Sequence, residues 1–426
     1  MKKYDELYSI YIEILEKELI TAMGCTEPIA VAYCAAKARE VLGAEPDRVL
    51  AEVSGNIVKN VKSVIVPNTG GSKGIETAVA IGIVGGDASR ELEVIADVTE
   101  EQKQAMRDYL ARGIIKMLPM DTVHPLDIKI TEYSGGESAM VHIVDDHTNI
   151  VDIEKNGEVI SHRDIEASVS DEKEEYNKLD MEHIYDFALT ADIDDVREIL
   201  DRQIQFNKAI SAEGMHGDYG ANIGKVINKE NASDTRGRAK ARAAAGSDAR
   251  MNGCELPVVI NSGSGNQGLT VSIPVITYGE ELGASQEQIY RALLISNLSA
   301  IHLKTEIGRL SAYCGAVSAG ASAGAGIAFL KGGDLETISH TIVNALAITS
   351  GIICDGAKAS CAAKIAISVE AGILGYDMFM NGQQFYGGDG IITTGIENTI
   401  HNIGILGSKG MYDTDKEIIR IMTCVD

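Results

Sequence analysis

The sequence predicts an α+β protein in which a large Ala/Gly-rich helical region is joined to a smaller inserted α+β module with a mostly antiparallel sheet. Three observations carry this expectation. Helical periodicity runs almost unbroken beyond residue 180, whereas between Arg48 and Ile160 short β-rich runs alternate with turn residues. The composition is one of small, closely approaching side chains: 44 Gly, no Trp and 5% aromatics in 426 residues, 45% of them hydrophobic. A core of Ala, Val, Ile and Leu follows, and the length suits two or three domains.

Residues 4–22 and 27–42 carry apolar positions at helical spacing. The second helix opens sharply, with Thr26 as a cap and Glu27-Pro28 in its first turn. Strands are expected at Val49–Val53, Val64–Val66, Asp127–Tyr133, Ser138–Val144 and Ile150–Ile153. Gly135-Gly136, Asp145-Asp146 and Asn156-Gly157 supply the turns, and helices near 72–84 and 100–112 interleave. The charged stretch Ser168–Lys178 reads as an exposed connection. Helices then follow at about 180–213, 217–228, 232–250, 285–298, 303–330, 334–350, 359–374 and 396–404. This divides the chain into an N-terminal helical hairpin (1–45) packing on the last domain, an α+β module (46–165) and an all-helical domain (180–426).

The 38 Lys+Arg against 62 Asp+Glu leave a net charge of −24. A surface that acidic repels phosphate backbones and anionic lipid, so neither nucleic acid nor a membrane is an expected partner. The first twenty residues are an acidic amphipathic helix without the apolar stretch or cleavage site of a signal peptide. Ser311–Leu330 is uncharged for twenty residues, but its Ala, Gly and Ser suit a buried helix better than a bilayer. Seven scattered cysteines point to a reducing compartment, hence to the cytoplasm.

Cys314, Cys354 and Cys361 are the most informative group. No C-x-x-C pair is present, which disfavours a structural zinc site. Seven residues on a continuous helix rise ~10.5 Å, too far for Cys354 and Cys361 to grip one compact centre. The Asp355-Gly356 turn lets the chain fold back, and Cys314, beside Gly315, can approach as a third ligand. Three thiolates suit an iron–sulfur cluster with one iron open to substrate; as small buried hydrophobes the three would instead be core residues. Cys25 precedes a helix start, where the helix N-terminus favours a thiolate able to act as base, nucleophile or ligand; a buried junction cysteine is the plain alternative. Two Gly-rich polar loops are candidate small-anion cradles, through Asn68, Thr69 and Ser72 in one and Ser262, Ser264, Asn266 and Gln267 in the other, or else ordinary turns. The nine His, including His124, His142, His216 and His302, form no metal-binding pair and read as surface or satisfied core residues.

These segments together resemble a known family. GCTEP, SGNIVKNVKSVIVPNT, NSGSGNQG, IGRLSAYCGAVSAGASAGAGIAFLKGG and CDGAKASCAAKI are similar to the L-cysteine desulfidase family, a branch of the iron–sulfur serine dehydratase superfamily of α-chain type. The likeness runs from about residue 20 to residue 422. It implies an oxygen-sensitive [4Fe–4S] cluster held by Cys314, Cys354 and Cys361 in a cluster-binding catalytic domain, with Cys25 as general base. The implied reaction eliminates sulfide from L-cysteine, yielding pyruvate, ammonia and hydrogen sulfide without pyridoxal phosphate. The Asn68–Ser72 and Ser262–Gln267 loops would hold the substrate's carboxylate and amino groups. Cys424 either frays with the C-terminus or, as in related serine dehydratases, caps the open iron. The expected partner is the amino-acid substrate, in a homodimer. L-Serine dehydration, a non-catalytic iron–sulfur protein, and a pyridoxal-phosphate lyase using Lys304, Lys358 or Lys364 are the competing readings.

Overall fold

A computed structural model describes residues 1–3, 5–164, 174–308 and 310–423. Cys424 and residues 168–173 of the charged Ser168–Lys178 stretch lie outside them. The chain is α+β, as the sequence predicts. A six-stranded mixed sheet runs in the order β3-β2-β4-β5-β6-β7, from β2 (Arg48–Ser54), β3 (Ile115–Met120), β4 (Asp127–Ser134), β5 (Glu137–Val144), β6 (Ile150–Lys155) and β7 (Glu158–His162). β2 and β3 are parallel and every other pair is antiparallel. The expected strand at Val64–Val66 is reduced to a single bridge, Ile65 to Lys73, because a tight turn leaves no length to pair.

The N-terminal segment divides between two neighbours. Helix α1 (Glu6–Glu18) lies against the helical region, while α2 (Thr26–Leu42) covers the sheet at β4 and β5 together with α4 (Ile75–Gly85). α2 buries nearly all its length because alanines face both α4 and the strands. At Gly82 a Cβ would stand 2.3 Å from the Ala32 carbonyl oxygen, so glycine permits this approach. Between the two helices β1 (Thr21–Met23) pairs with β8 (Pro257–Val259), joining the start of the chain to the helical region. Helices α3 (Gly55–Val61) and α5 (Glu100–Ala111) complete this half.

The helical region holds α6 (Met181–Thr190), α7 (Ile193–His216), α8 (Ile223–Asn231), α9 (Thr235–Met251), α10 (Gly265–Leu282), α11 (Gln286–Ile307), α12 (Gly315–Leu330), α13 (Leu335–Thr349), α14 (Cys361–Met380), α15 (Ile396–Ile405) and α16 (Tyr412–Thr423). The helix expected over 180–213 is broken at Ala191-Asp192, where Asp192 caps α7. The one expected over 303–330 is split by an extended segment before Cys314. α12 occupies the uncharged stretch and is buried throughout; among the described residues no helix is long and apolar enough to cross a membrane.

α12 and α14 run parallel. Gly320 meets Ser368 and Gly324 meets Gly372, a constant offset along both helices. A Cβ at Gly320 would stand 2.4 Å from the Ser368 backbone, so these axes approach as closely as backbone allows. The same offset carries Cys314 to the start of α14, beside Cys361.

Candidate active site

Cys314 caps α12 and Cys361 opens α14, so the parallel packing of these helices brings both sulfurs to one end. Cys354 is tied to the same place by a short antiparallel bridge. The Cys314 amide donates to the Ile352 carbonyl at 3.1 Å, and the Cys354 amide to Ala312 at 2.6 Å. The turn expected at Asp355-Gly356 is present. Gly356 has φ +91° and lies where a Cβ would stand 2.3 Å from the Lys59 carbonyl oxygen, so only glycine fits. Lys358 and Lys364 both close on Asp355, overcoming burial to hold its carboxyl down at about 2.

All three cysteines line one cavity of about 110 Å3, and Cys25, Glu27, Lys59, Asn60, Arg250 and Lys304 line it too. Burial, with the neighbouring Cys354 and Cys361, pushes the Cys314 thiol up to about 12. Cys361, half-buried beside it, is raised too, chiefly by burial, and a thiol held protonated in this way gives up its proton on metal binding. Among the described residues no three His, Cys, Asp or Glu side chains close around a point as ligands of a single ion. Three cysteines around one cavity are a soft donor set, of the type an iron–sulfur cluster takes.

Cys25 is the N-cap of α2 and points into the same cavity's lining, beside Cys361. Its position depends on two contacts between motifs. Gly24, at φ +57°, packs on Pro67 so closely that a Cβ would lie 2.1 Å from its ring, and Thr26 donates to the Gly263 carbonyl at 2.9 Å. The thiolate expected at this helix start is corrected by the geometry. Burial and the adjacent Glu27 carboxylate push the Cys25 thiol far up, against the pull of Arg250, and its Sγ donates to Glu27 Oε2 at 3.1 Å. Glu27 also accepts from Thr26 and, at 2.9 Å, from Asn60. Burial opposes its charge; His147, Cys25, its own backbone amide and Arg250 overcome that and hold the carboxyl below its usual range.

The first turns of α2, α10, α12 and α14 all reach this cavity, so the positive ends of four helices face whatever occupies it. Ser264 caps α10, and it, Asn266 and Gln267 line the cavity. Gly315 leaves room for the Gln267 amide, which a Cβ there would meet at 2.6 Å. Ser262 lies instead in an adjoining cleft of about 800 Å3, its hydroxyl bonded to Asn261; the cleft shares Lys304, Leu310 and Ser311 with the cavity. Asn68, Thr69 and Ser72 line neither space. Asn68 donates to the Ile95 and Ala96 carbonyls, Thr69 to Val66 and Ser72 to Thr69, so these side chains shape their own loop. Sequence reasoning missed Glu27, Lys59, Asn60 and Arg250 as residues of the cavity; for Glu27 the signal was its place two residues after Cys25.

Comparison with known proteins shows the family. The serine dehydratase alpha chain family matches residues 89–420, a span that includes the three clustered cysteines and Arg250. UPF0597 proteins are similar over nearly the whole chain. That of Desulfitobacterium hafniense is 57% identical over 99% of this chain and 98% of its own. That of Lachnoclostridium phytofermentans is 51% identical over 98% of this chain and all of its own, and that of Treponema denticola 47% identical over 97% of each. With a family match across most of its length and relatives of this identity from end to end, the chain belongs to the serine dehydratase alpha chain family.

Proposed function

We propose that this protein is a lyase that eliminates sulfide from L-cysteine to give pyruvate, ammonia and hydrogen sulfide, using a [4Fe–4S] cluster held by Cys314, Cys354 and Cys361. The observation that supports it is the convergence of those three thiols, with the Cys25–Glu27 pair, on one small cavity. Bound there, the cluster supplies a Lewis-acidic iron that polarises the substrate and stabilises the departing sulfur.

The chain's own residues supply the proton chemistry. The Cys25–Glu27 pair takes up the substrate's Cα proton as one relay, in which Glu27, the ionised member, ends protonated at Oε2 while Cys25 Sγ remains a thiol. The C–H electron pair becomes the Cα=Cβ double bond, and the Cβ–S bond breaks with its pair leaving on sulfide. The aminoacrylate then tautomerises and hydrolyses in water to pyruvate and ammonia. Asn60 holds Glu27 Oε1 and so fixes the carboxylate's orientation. The four helix N-termini favour the substrate carboxylate and the thiolates. Ser264, Asn266 and Gln267 contact the amino acid at the start of α10.

L-Serine dehydration is the second reading, favoured by the description of the family to which the chain belongs. It needs the same proton removal and differs in the leaving group. Protein reconstituted with iron and sulfide without oxygen is assayed on both amino acids, with pyruvate and sulfide measured. Equal release of pyruvate and sulfide from L-cysteine is the expected result. Pyruvate from L-serine alone would replace the first reading by the second, and no product from either at full iron content would overturn both.

A further inference from the structure

We propose that Arg250 anchors the α-carboxylate of the amino-acid substrate while the side-chain carbonyls of Asn266 and Gln267 take its ammonium group. This rests on the lyase reading above and adds how its substrate is held. Arg250 lies in the last turn of α9, 2% exposed, and lines the same cavity as Cys25 and Cys314. Its guanidinium sits against the first turn of α10. A Cβ at Gly265 would stand 2.3 Å from its Nε and 2.8 Å from its Cζ, so glycine is what admits it.

Among the described residues the buried Nε of that guanidinium has no hydrogen-bond partner, and no carboxylate forms an ion pair with Arg250. Glu27 is near enough to feel its charge, yet both Glu27 oxygens already accept from Cys25, Thr26 and Asn60. A buried guanidinium without acceptors is unfavourable, and an arriving carboxylate satisfies it with two parallel N–H···O bonds. The adjacent helix N-terminus favours the same sign of charge. The complementary groups stand in the first turn of α10, where Gln267 Oε1 and Asn266 Oδ1 are buried without partners among the described residues. Those carbonyls are acceptors for an ammonium. Cation, paired acceptors and thiols thus line one cavity.

The reconstituted holoenzyme is compared as wild type, Arg250→Met and Arg250→Lys, with circular dichroism and iron content checking each fold. Arg250→Met is expected to raise KM for L-cysteine about 10- to 100-fold with a much smaller change in kcat, and Arg250→Lys to restore part of the loss. Calorimetry needs no turnover. L-Alanine, which keeps the carboxylate and lacks a leaving group, should bind wild type and lose the same factor in Arg250→Met, whereas cysteamine, which lacks the carboxylate, should bind both alike. An unchanged L-alanine affinity, or an equal fall for cysteamine, overturns the anchor even if sulfide release continues. Should Arg250→Met fail to fold, Arg250→Lys binding both probes as wild type does overturns it. Carboxylate-selective loss of binding in a protein that releases no sulfide sustains the anchor and overturns the lyase reading.

Discussion

Gly372 packs so closely on Gly320 that a Cβ at residue 372 would stand 2.2 Å from the Gly320 carbonyl oxygen. The contact joins α12 to α14 and thereby sets the separation of Cys314 from Cys361. Gly372→Ala has no flexible neighbour to displace and forces the helices apart. It is expected to destabilise the fold by about 1–3 kcal/mol in urea titrations, as overpacking of a tight core does, and to lower iron retention. Gly351→Ala, with nothing within 4 Å of its Cβ and no positive φ, should leave both unchanged.

Each of Cys314→Ser, Cys354→Ser and Cys361→Ser should carry far less iron and inorganic sulfide after anaerobic reconstitution. Cys34→Ser should reconstitute as wild type does. Its sulfur is buried against the sheet, donating to the Ile128 and Val141 carbonyls. Iron content separates the two groups, and equal loss in all four variants would reject the assignment.

Glu27→Gln keeps the shape of the side chain and removes its charge. The Cys25 proton then has no base to receive it, so kcat is expected to fall about 100- to 10,000-fold with iron content retained. Steady-state kinetics beside an iron assay checks this.

Glu132 lies in β4 opposite Val49, fully buried, and neither carboxylate oxygen has a hydrogen-bond partner. Burial raises its carboxyl well above the ordinary value, with Arg39 pulling slightly the other way. The folded state therefore keeps a proton that the unfolded chain releases, and stability falls as pH rises above the unfolded value of 4.5. Glu132→Leu should raise stability at pH 8 by about 1–3 kcal/mol and by little near pH 4, flattening the pH profile of chemical unfolding.

Lys59 and Asp415 form a buried ion pair between α3 and α16. Lys59→Met strands the aspartate and is expected to cost about 3–5 kcal/mol, while Lys59→Met with Asp415→Leu should recover most of it. A double-mutant cycle in urea measures the coupling.

The sheet was readable where strands alternate cleanly, as in Asp127–Ser134 and Glu137–Val144, each burying one face. β3 escaped because Pro119 and half-buried positions give an edge strand without a strong period. α10 escaped because Gly, Ser and Thr fill its first half and Pro274 its middle, so burial among neighbours, not propensity, makes it helical. The three cysteines were legible through the turn that Asp355-Gly356 requires. Arg250 was not, since it sits on a helix whose local pattern says only that it is buried, and Glu27 carried no signal beyond its place beside Cys25. The Asn68 loop has the composition of an anion cradle, but its donors face its own carbonyls, a difference that composition does not carry.

Lys59 meets a partner 356 residues further along the chain. A ribosome must therefore release nearly the entire polypeptide before that clasp can form, and the walls around Cys25 and Cys361 close at the end of synthesis. On the proposed function, insertion of the cluster is then a post-translational event, and a chain truncated ahead of its last helix would lack that clasp at the cavity wall.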